Sequence, residues 1–399
     1  MKVDSDVIII GAGPAGLVAA RRLEELEISY TLISRESAPG LDKACGGYVP
    51  RRAVEEFDLH DMPRSYPIDT IRMKFPNLEL KEVRFKEPVG VNVSRENLGR
   101  ALLAKVTQDS GEIWHDTECN WVDTPKESCT IHFTKENVRN TLSSELIIDA
   151  SGANPVSQRA SIVRPRPPND QLGYAIQYQM KCRETLPSAN DFYYGSEFSP
   201  RGYAWNFPRE HETVLGTGGI VNKVRESDRR VSNYLDHLVN DVEPIKTELI
   251  DAGAEITKRE AALMPLAGIV SPSYGNRILL AGDAACHCSP ISGEGIHYSM
   301  LGGLKAAETA ASCVKNRNFS DKALSRYEKE WTKAFGSDLK WGFWLQKRFL
   351  ESGSSSMGSA FLNSEKSSRV IAEMLAGVRG VRSAILVAAP GYLVSKIRR

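Results

Sequence analysis

The residues with the most chemical potential in this chain are two groups of glycines, one aspartate that travels with the second group, and one cysteine between them. The first group, Gly11-Ala12-Gly13-Pro14-Ala15-Gly16, has the spacing in which one glycine makes a tight turn, the next lets backbone approach a pyrophosphate, and the third permits close helix packing. A helix starting there would turn its unpaired amides toward the phosphates. Alone, such a pattern is equally a strand-to-helix turn with nothing bound. The second group lies far downstream: RILLAGDAA at 277–285 delivers Gly282 and Asp283, and PISGEGIH at 290–297 brings Gly293, Gly295 and Ile296. An aspartate at the end of a strand can accept hydrogen bonds from the hydroxyls of a sugar-like chain. Glycines just before a helix let backbone amides approach a planar ring.

The elements needed to position these residues are legible. Asp6 to Ile10 reads as a buried strand, 11–16 as the turn, Leu17 to Leu26 as a helix and Tyr30 to Ile33 as a second strand. This is a βαβ unit within about thirty residues, the context in which the glycine motif becomes specific. The acid expected at the end of the second strand, for a ribose hydroxyl, is displaced. Ser34 stands at that position with Arg35 and Glu36 beside it, so either Glu36 reaches back or Ser34 bonds the ribose, and Arg35 lies toward the adenine end. The first motif does not separate NAD from FAD. The second does, because a ribityl chain suits Asp283 and the positive end of the helix from Ile296 would stabilise an anionic reduced flavin.

Further elements are a glycine-rich loop at 40–50, short strands between Ile68 and Val93, a helix from Ser94 to Thr107, a parallel strand at Glu145 to Asp149, and an antiparallel region from Pro165 to Ala261. An apolar strand at Ile278 to Ala281, a helix from Ile296 to Val314, and a helical tail broken at Ser352 to Ser359 complete the reading. The fold class is α/β: a Rossmann-type FAD-binding domain in three pieces (1–60, 94–162 and 275–320), an inserted α+β substrate domain with an antiparallel sheet (61–93 and 163–274), and a C-terminal helical region (321–399). A chain of 399 residues is long enough for two domains and a dry, deep site.

With 51 basic against 50 acidic residues, the balance makes no case for nucleic acid. Seven cysteines without paired ligand spacing argue against a disulfide framework and against a metal. The N-terminus lacks the apolar stretch and cleavage site of a secretory signal, so a cytoplasmic location is expected. The basic, apolar tail from Val378 to Arg399 is either a solvated terminus or a peripheral contact with a membrane.

Three segments carry a closer likeness: Cys45-Gly46-Gly47-Tyr48-Val49-Pro50 with the following Val54 to Leu59, then Gly202-Tyr203-Ala204-Trp205-Asn206-Phe207-Pro208, then Gly282 through Gly295. Over roughly the first three hundred residues the chain resembles the aromatic-hydroxylase-like superfamily of FAD-dependent oxidoreductases. Within it, the chain is similar to the geranylgeranyl reductases of archaeal lipid and chlorophyll pathways. The resemblance implies FAD contacts from Ala15, the Ser34 and Arg35 region, Cys45, Gly46, Arg95, Cys119, Asp283, Gly295 and Ile296. It implies an enzyme that saturates carbon-carbon double bonds of an isoprenoid lipid or diphosphate, with NADPH or a ferredoxin-like protein as electron donor. Cys45 is the catalytic candidate, a proton donor beside the flavin or else a small buried hydrophobe. Tyr203, Trp205 and Phe207 alternate and so share one strand face, as a roof for a prenyl chain or as plain core, and Phe192, Tyr194 and Phe198 are candidates to extend it. Glu294 and His297 are acid-base candidates or loop-stabilising polar residues. One departure bears on NADPH: Ser151-Gly152 stands where many relatives carry Asp-Gly. The rival readings are a flavin-dependent monooxygenase or halogenase acting on an apolar substrate, and a noncatalytic flavin carrier.

Overall fold

The computed structural model describes residues 3–125, 127–160, 162–352 and 364–388. The chain divides into two compact units. The first comprises Met1–Lys43, Arg95–Pro167 and Pro265–Lys340, and the second Ala44–Ser94, Pro168–Met264 and Trp341–Arg399.

The first unit is built on an eight-stranded sheet. Ile278–Leu280, Val138–Asp149, Ser5–Ile10, Tyr30–Ile33 and Gly111–Trp114 lie side by side in parallel, and Tyr274–Gly275 adds an antiparallel edge. Register sets Ile8 against Ile147 and Ile9 against Ile148. Those four side chains are wholly buried, as near-continuous apolar runs must be in a covered parallel sheet. Each such side chain contributes about 1.5–3 kcal/mol by leaving water.

The expected strand at Glu145–Asp149 is the end of a longer one. Val138–Asp149 first pairs antiparallel with Cys129–Lys135, which pairs with Thr117–Asp123, and then turns parallel to Ser5–Ile10. The first helix is Pro14–Glu25, starting three residues before the expected Leu17 because proline, with φ pre-set and no amide to lose, opens a helix readily. The Arg95–Leu103 helix is shorter than the expected span to Thr107.

The second unit carries a seven-stranded sheet in the order Glu255–Pro265, Leu172–Lys181, Glu212–Ile220, Gly202–Arg209, Ala189–Tyr194, Thr70–Lys74, Lys81–Arg84. Neighbours run antiparallel from Leu172–Lys181 to Ala189–Tyr194, and Ala189–Tyr194 is parallel to Thr70–Lys74. A three-stranded sheet joins Tyr48–Pro50, Gly90–Asn92 and Tyr66–Ile68.

That small sheet explains where the first unit ends. The expected first piece ran to residue 60, but Tyr48–Pro50 pairs with Gly90–Asn92, so the chain passes into the second unit after Lys43. The tail is likewise shared rather than separate. Asp321–Trp331 docks in the first unit, where Tyr327 donates to the Leu280 carbonyl and Trp331 Nε1 donates to Ser273 Oγ at 2.8 Å. Glu365–Leu375 packs Ala372 and Leu375 into the core of the second unit. Of the expected break at Ser352 to Ser359, residues 353–359 lie outside the described residues, as do 389–399 of the basic tail. No helix among the described residues is long and apolar enough to cross a membrane.

Candidate active site

In the first unit the three motif glycines do different jobs. Gly11 has φ +105°, and a side chain there would lie 2.5 Å from the Ala150 carbonyl oxygen. A Cβ on Gly16 would lie 1.9 Å from the Gly11 carbonyl oxygen. Both glycines are demanded by packing. A Cβ on Gly13 would meet nothing within 4 Å, so this N-cap residue of the Pro14–Glu25 helix faces open space, with no side chain capping the first turn. An uncapped helix start beneath an open glycine is a cradle for an anion. Ala15 is buried, and its carbonyl oxygen would lie 2.1 Å from a Cβ on Gly303, which marks the crossing of this helix with Ile296–Lys315.

At the end of Tyr30–Ile33, buried Ser34 Oγ donates to Glu36 Oε2 at 3.2 Å, and Arg35 pairs with Glu36 Oε1 at 3.0 Å. The displaced acid thus folds back onto the strand end through residue 36. Gly282 has φ +66° and opens the short 3-10 turn Gly282–Ala285. Within that turn Asp283 is half-buried; its carbonyl accepts from the Cys286 amide at 3.0 Å, while its carboxylate accepts from no described residue. Burial raises its carboxyl above the ordinary value, opposed by the charges of Lys43 and Arg95. Gly293 has φ +69°. Gly295 is the N-cap of Ile296–Lys315, and a Cβ there would stand 3.7 Å from Asp283 Oδ1.

A recessed carboxylate without a side-chain partner, one uncapped helix start, an open glycine and a buried Arg95 Nε lacking a hydrogen bond fit the polyol and phosphates of FAD, and Gly295 leaves room for its ring. Glu294 Oε1 accepts from the His297 amide at 3.0 Å, a bond that steadies the loop. Cys119 packs in the core with its Sγ toward the Trp121 carbonyl, and burial pushes its thiol up to about 12. In the departing segment, Ser151 Oγ donates to Asp149, whose other oxygen accepts from the Ser157 amide at 2.9 Å.

In the second unit, Cys45 is half-buried while the six other cysteines are buried, and all seven are free thiols. Gln177 Nε2 reaches the Cys45 carbonyl at 3.4 Å and donates to Glu260 at 2.8 Å. Gly46 is seated against aromatic rings: a Cβ there would lie 2.7 Å from Phe207 and 3.5 Å from Trp205 Nε1, itself a buried donor without a partner. Gly47 has φ +86°, and its missing Cβ leaves room for Arg209 Nη2, 2.9 Å from where that atom would be. Arg209 is buried, which pulls its guanidinium below the ordinary arginine value, opposed chiefly by Glu212.

The alternation of Tyr203, Trp205 and Phe207 does place them on one face, with ring centroids 5.8 and 6.5 Å apart along the row. Phe192 joins at 5.3 Å from Phe207, and Tyr194 at 5.7 Å from Tyr203. Phe198 does not: it packs on Tyr193 in a different cluster, because Gly195 at φ +131° ends the extended parity. Lys43, Gln177, Arg209 and Glu260 were not among the sequence candidates. Only Lys43, inside the glycine-rich loop, had a local signal.

A family model described as FAD binding domain matches residues 4–335. Digeranylgeranylglycerophospholipid reductase of Methanococcus vannielii is 25% identical over 350 residues, covering 86% of this chain and 87% of that protein. The protein of the same name from Methanoculleus marisnigri is 29% identical over 342 residues, covering 83% and 82%. Among solved structures, a geranylgeranyl bacteriochlorophyll reductase-like protein from Thermoplasma acidophilum superposes with a TM-score of 0.84 at 20% identity, over 98% of this chain and 97% of that one. A flavin-dependent brominase shares the fold at a TM-score of 0.74 and 16% identity, over 98% and 99%. With most of its length matched by that family model and a cradle that suits the cofactor, the chain belongs to the FAD binding domain family and is an FAD-dependent oxidoreductase.

Proposed function

We propose that this enzyme reduces isolated carbon-carbon double bonds in geranylgeranyl chains carried by a lipid or a diphosphate. The observation that carries the reading is the aromatic face of the second unit, where Tyr203, Trp205, Phe207 and Phe192 form one apolar wall and Phe207 closes onto Gly46, next to Cys45. Such a wall suits an uncharged polyene better than a polar aromatic. The names of the two archaeal relatives support the same substrate class.

Bound reduced FAD supplies the hydride for one alkene carbon. In this reading Gly11, Gly13, Ala15 and Gly16 hold the pyrophosphate, while Ser34, Arg35 and Glu36 hold the adenosine. Asp283 and Gly282 hold the ribityl chain, Arg95 and Cys119 add contacts, and Gly293, Gly295 and Ile296 back the ring. The Cys45 thiol, or a water it holds, carries the proton for the second carbon, with Gln177 fixing the Cys45 backbone. The aromatic wall keeps water from the reacting carbons. NADPH or a ferredoxin-like protein restores the reduced cofactor.

The test is anaerobic. Reduced enzyme is mixed with geranylgeranyl diphosphate or a geranylgeranyl ether lipid, and flavin reoxidation is followed together with product mass. A gain of two hydrogens per turnover is expected. Cys45→Ser should retain full FAD content while turnover falls roughly 100-fold, the ordinary contribution of a positioned proton donor. Oxygen or halide incorporation under air without anaerobic reduction would assign a monooxygenase or halogenase instead.

A further inference from the structure

We infer that the outer face of the Ser337–Ser352 helix is a docking surface for an anionic lipid bilayer. This goes beyond the proposed reaction and does not depend on it. At 100° per residue, Gly342 and Gln346 mark the buried side of the helix, and Lys340, Trp344, Lys347 and Arg348 fall together on the opposite, exposed side. Trp344 is 44% exposed. Indoles are highly buried on average, and here one stands in water at the centre of a helix face among cations.

The groups around Trp344 say what kind of partner. Half-buried Trp341 meets its ring edge-on at 5.8 Å, and the Arg348 guanidinium lies 5.4 Å from its centroid. One turn round, the Lys347 ammonium lies 4.6 Å from the Phe343 ring. The face therefore presents three cations around an amphipathic ring, the composition that settles at a headgroup boundary with the indole at the interface and the charges among anionic headgroups.

Charge disfavours the other occupants. The chain's own last eleven residues carry Lys396, Arg398 and Arg399 and no acid. A second copy related by a two-fold axis would set the same three cations against themselves. A bilayer rich in phosphatidylglycerol complements both features at once.

The experiment uses full-length, FAD-loaded protein. Co-sedimentation is measured with vesicles of phosphatidylcholine alone and with vesicles in which about a third of the lipid is phosphatidylglycerol. Binding is expected to the anionic vesicles and to weaken steeply in 1 M salt, where the screening length is only about 3 Å. Each cation near such a surface is worth roughly fivefold in partitioning, so Lys347→Gln with Arg348→Gln should lower it about 25-fold. Trp344→Ser should lower it about tenfold at equal charge.

Unchanged FAD absorbance and melting temperature show that the variants are folded. Should Trp344→Ser alter either, the doubly neutralised variant decides. Four results would overturn the inference: no sedimentation with anionic vesicles; sedimentation indifferent to both variants, which places the contact elsewhere; Trp344-dependent self-association without vesicle binding, which assigns a second copy; and binding to duplex DNA in preference to vesicles.

Discussion

Gly13 and Gly16 lie three residues apart in the same turn, yet replacing each with alanine should have opposite consequences. At Gly13 the backbone φ is −75° and a Cβ finds nothing within 4 Å, so the apoprotein has no reason to object. A modest loss of capping and a modest gain from a less flexible unfolded chain leave its stability within about 1 kcal/mol of wild type. The methyl instead fills space needed by the pyrophosphate. Losing one or two amide-to-phosphate hydrogen bonds, at about 1.5–3 kcal/mol each for a charged acceptor, raises the FAD dissociation constant by a factor between about 10 and about 20,000. At Gly16 the new atom sits 1.9 Å from the Gly11 carbonyl oxygen, a backbone atom that no side-chain rotation can move aside. Gly16→Ala should cost the apoprotein about 3 kcal/mol or more, whatever it does to FAD. Flavin fluorescence titration of apoprotein reads the first quantity and urea unfolding without FAD reads the second. If Gly13→Ala bound FAD within threefold of wild type, or unfolded as readily as Gly16→Ala, the division of labour between the two glycines would be refuted.

Two other substitutions test groups buried away from the cradle. Arg72 Nε and Nη2 grip Asp191 at 2.5 and 2.9 Å, and Nη1 and Nη2 grip Glu248 at 2.5 and 2.8 Å. Burial already holds the Asp191 carboxyl up at about 6 with Arg72 beside it. Arg72→Met should therefore cost about 3–5 kcal/mol at pH 7, and adding Asp191→Asn should restore part of that, as measured by urea unfolding; a double variant no better than the single one would argue against a stranded charge. His287 is fully buried between Trp331 and Phe335, with both ring nitrogens unpartnered, and burial depresses its value to about 3. Below about pH 6.5 the unfolded chain takes up this proton and the folded one does not, so stability falls on acidification toward pH 3 by up to about 1.4 kcal/mol per pH unit. His287→Gln should flatten the slope between pH 6.5 and 5, and an unchanged slope would remove His287 as its source.

What was legible in the sequence is what rests on near neighbours. The run Val7 to Ile10 declares a strand covered on both faces, and the glycines after it declare the turn, because each depends on residues a few positions away. The parity of Tyr203, Trp205 and Phe207 holds as long as the strand stays extended, and it fails for Phe198 at one glycine. The hairpin strands Thr117–Asp123 and Cys129–Lys135 escaped notice because the first has the burial order of an interrupted alternation and the pair contains a register shift at His132 and Phe133. Helix Glu365–Leu375 gives no local sign that it packs on the strands Thr70–Lys74 and Lys81–Arg84, since these partners lie far back in the chain.

Buried charge is where periodic reading is blind, and Arg72 makes the reason plain. In the strand Thr70–Lys74 it alternates with Ile71 and Met73, so by period two it belongs on a wet face. It is only 6% exposed, because Asp191 and Glu248 arrive from 119 and 176 residues away to accept its hydrogen bonds. The same applies around Cys45, where Gln177 comes from 132 residues downstream. A polar side chain is buried only when its partners are supplied, and those partners are a property of topology rather than of the local segment. Residues that hold a reactive loop in place therefore emerge only with the fold, whereas the backbone motifs that receive a cofactor, being turns and helix starts, are already written in adjacent positions.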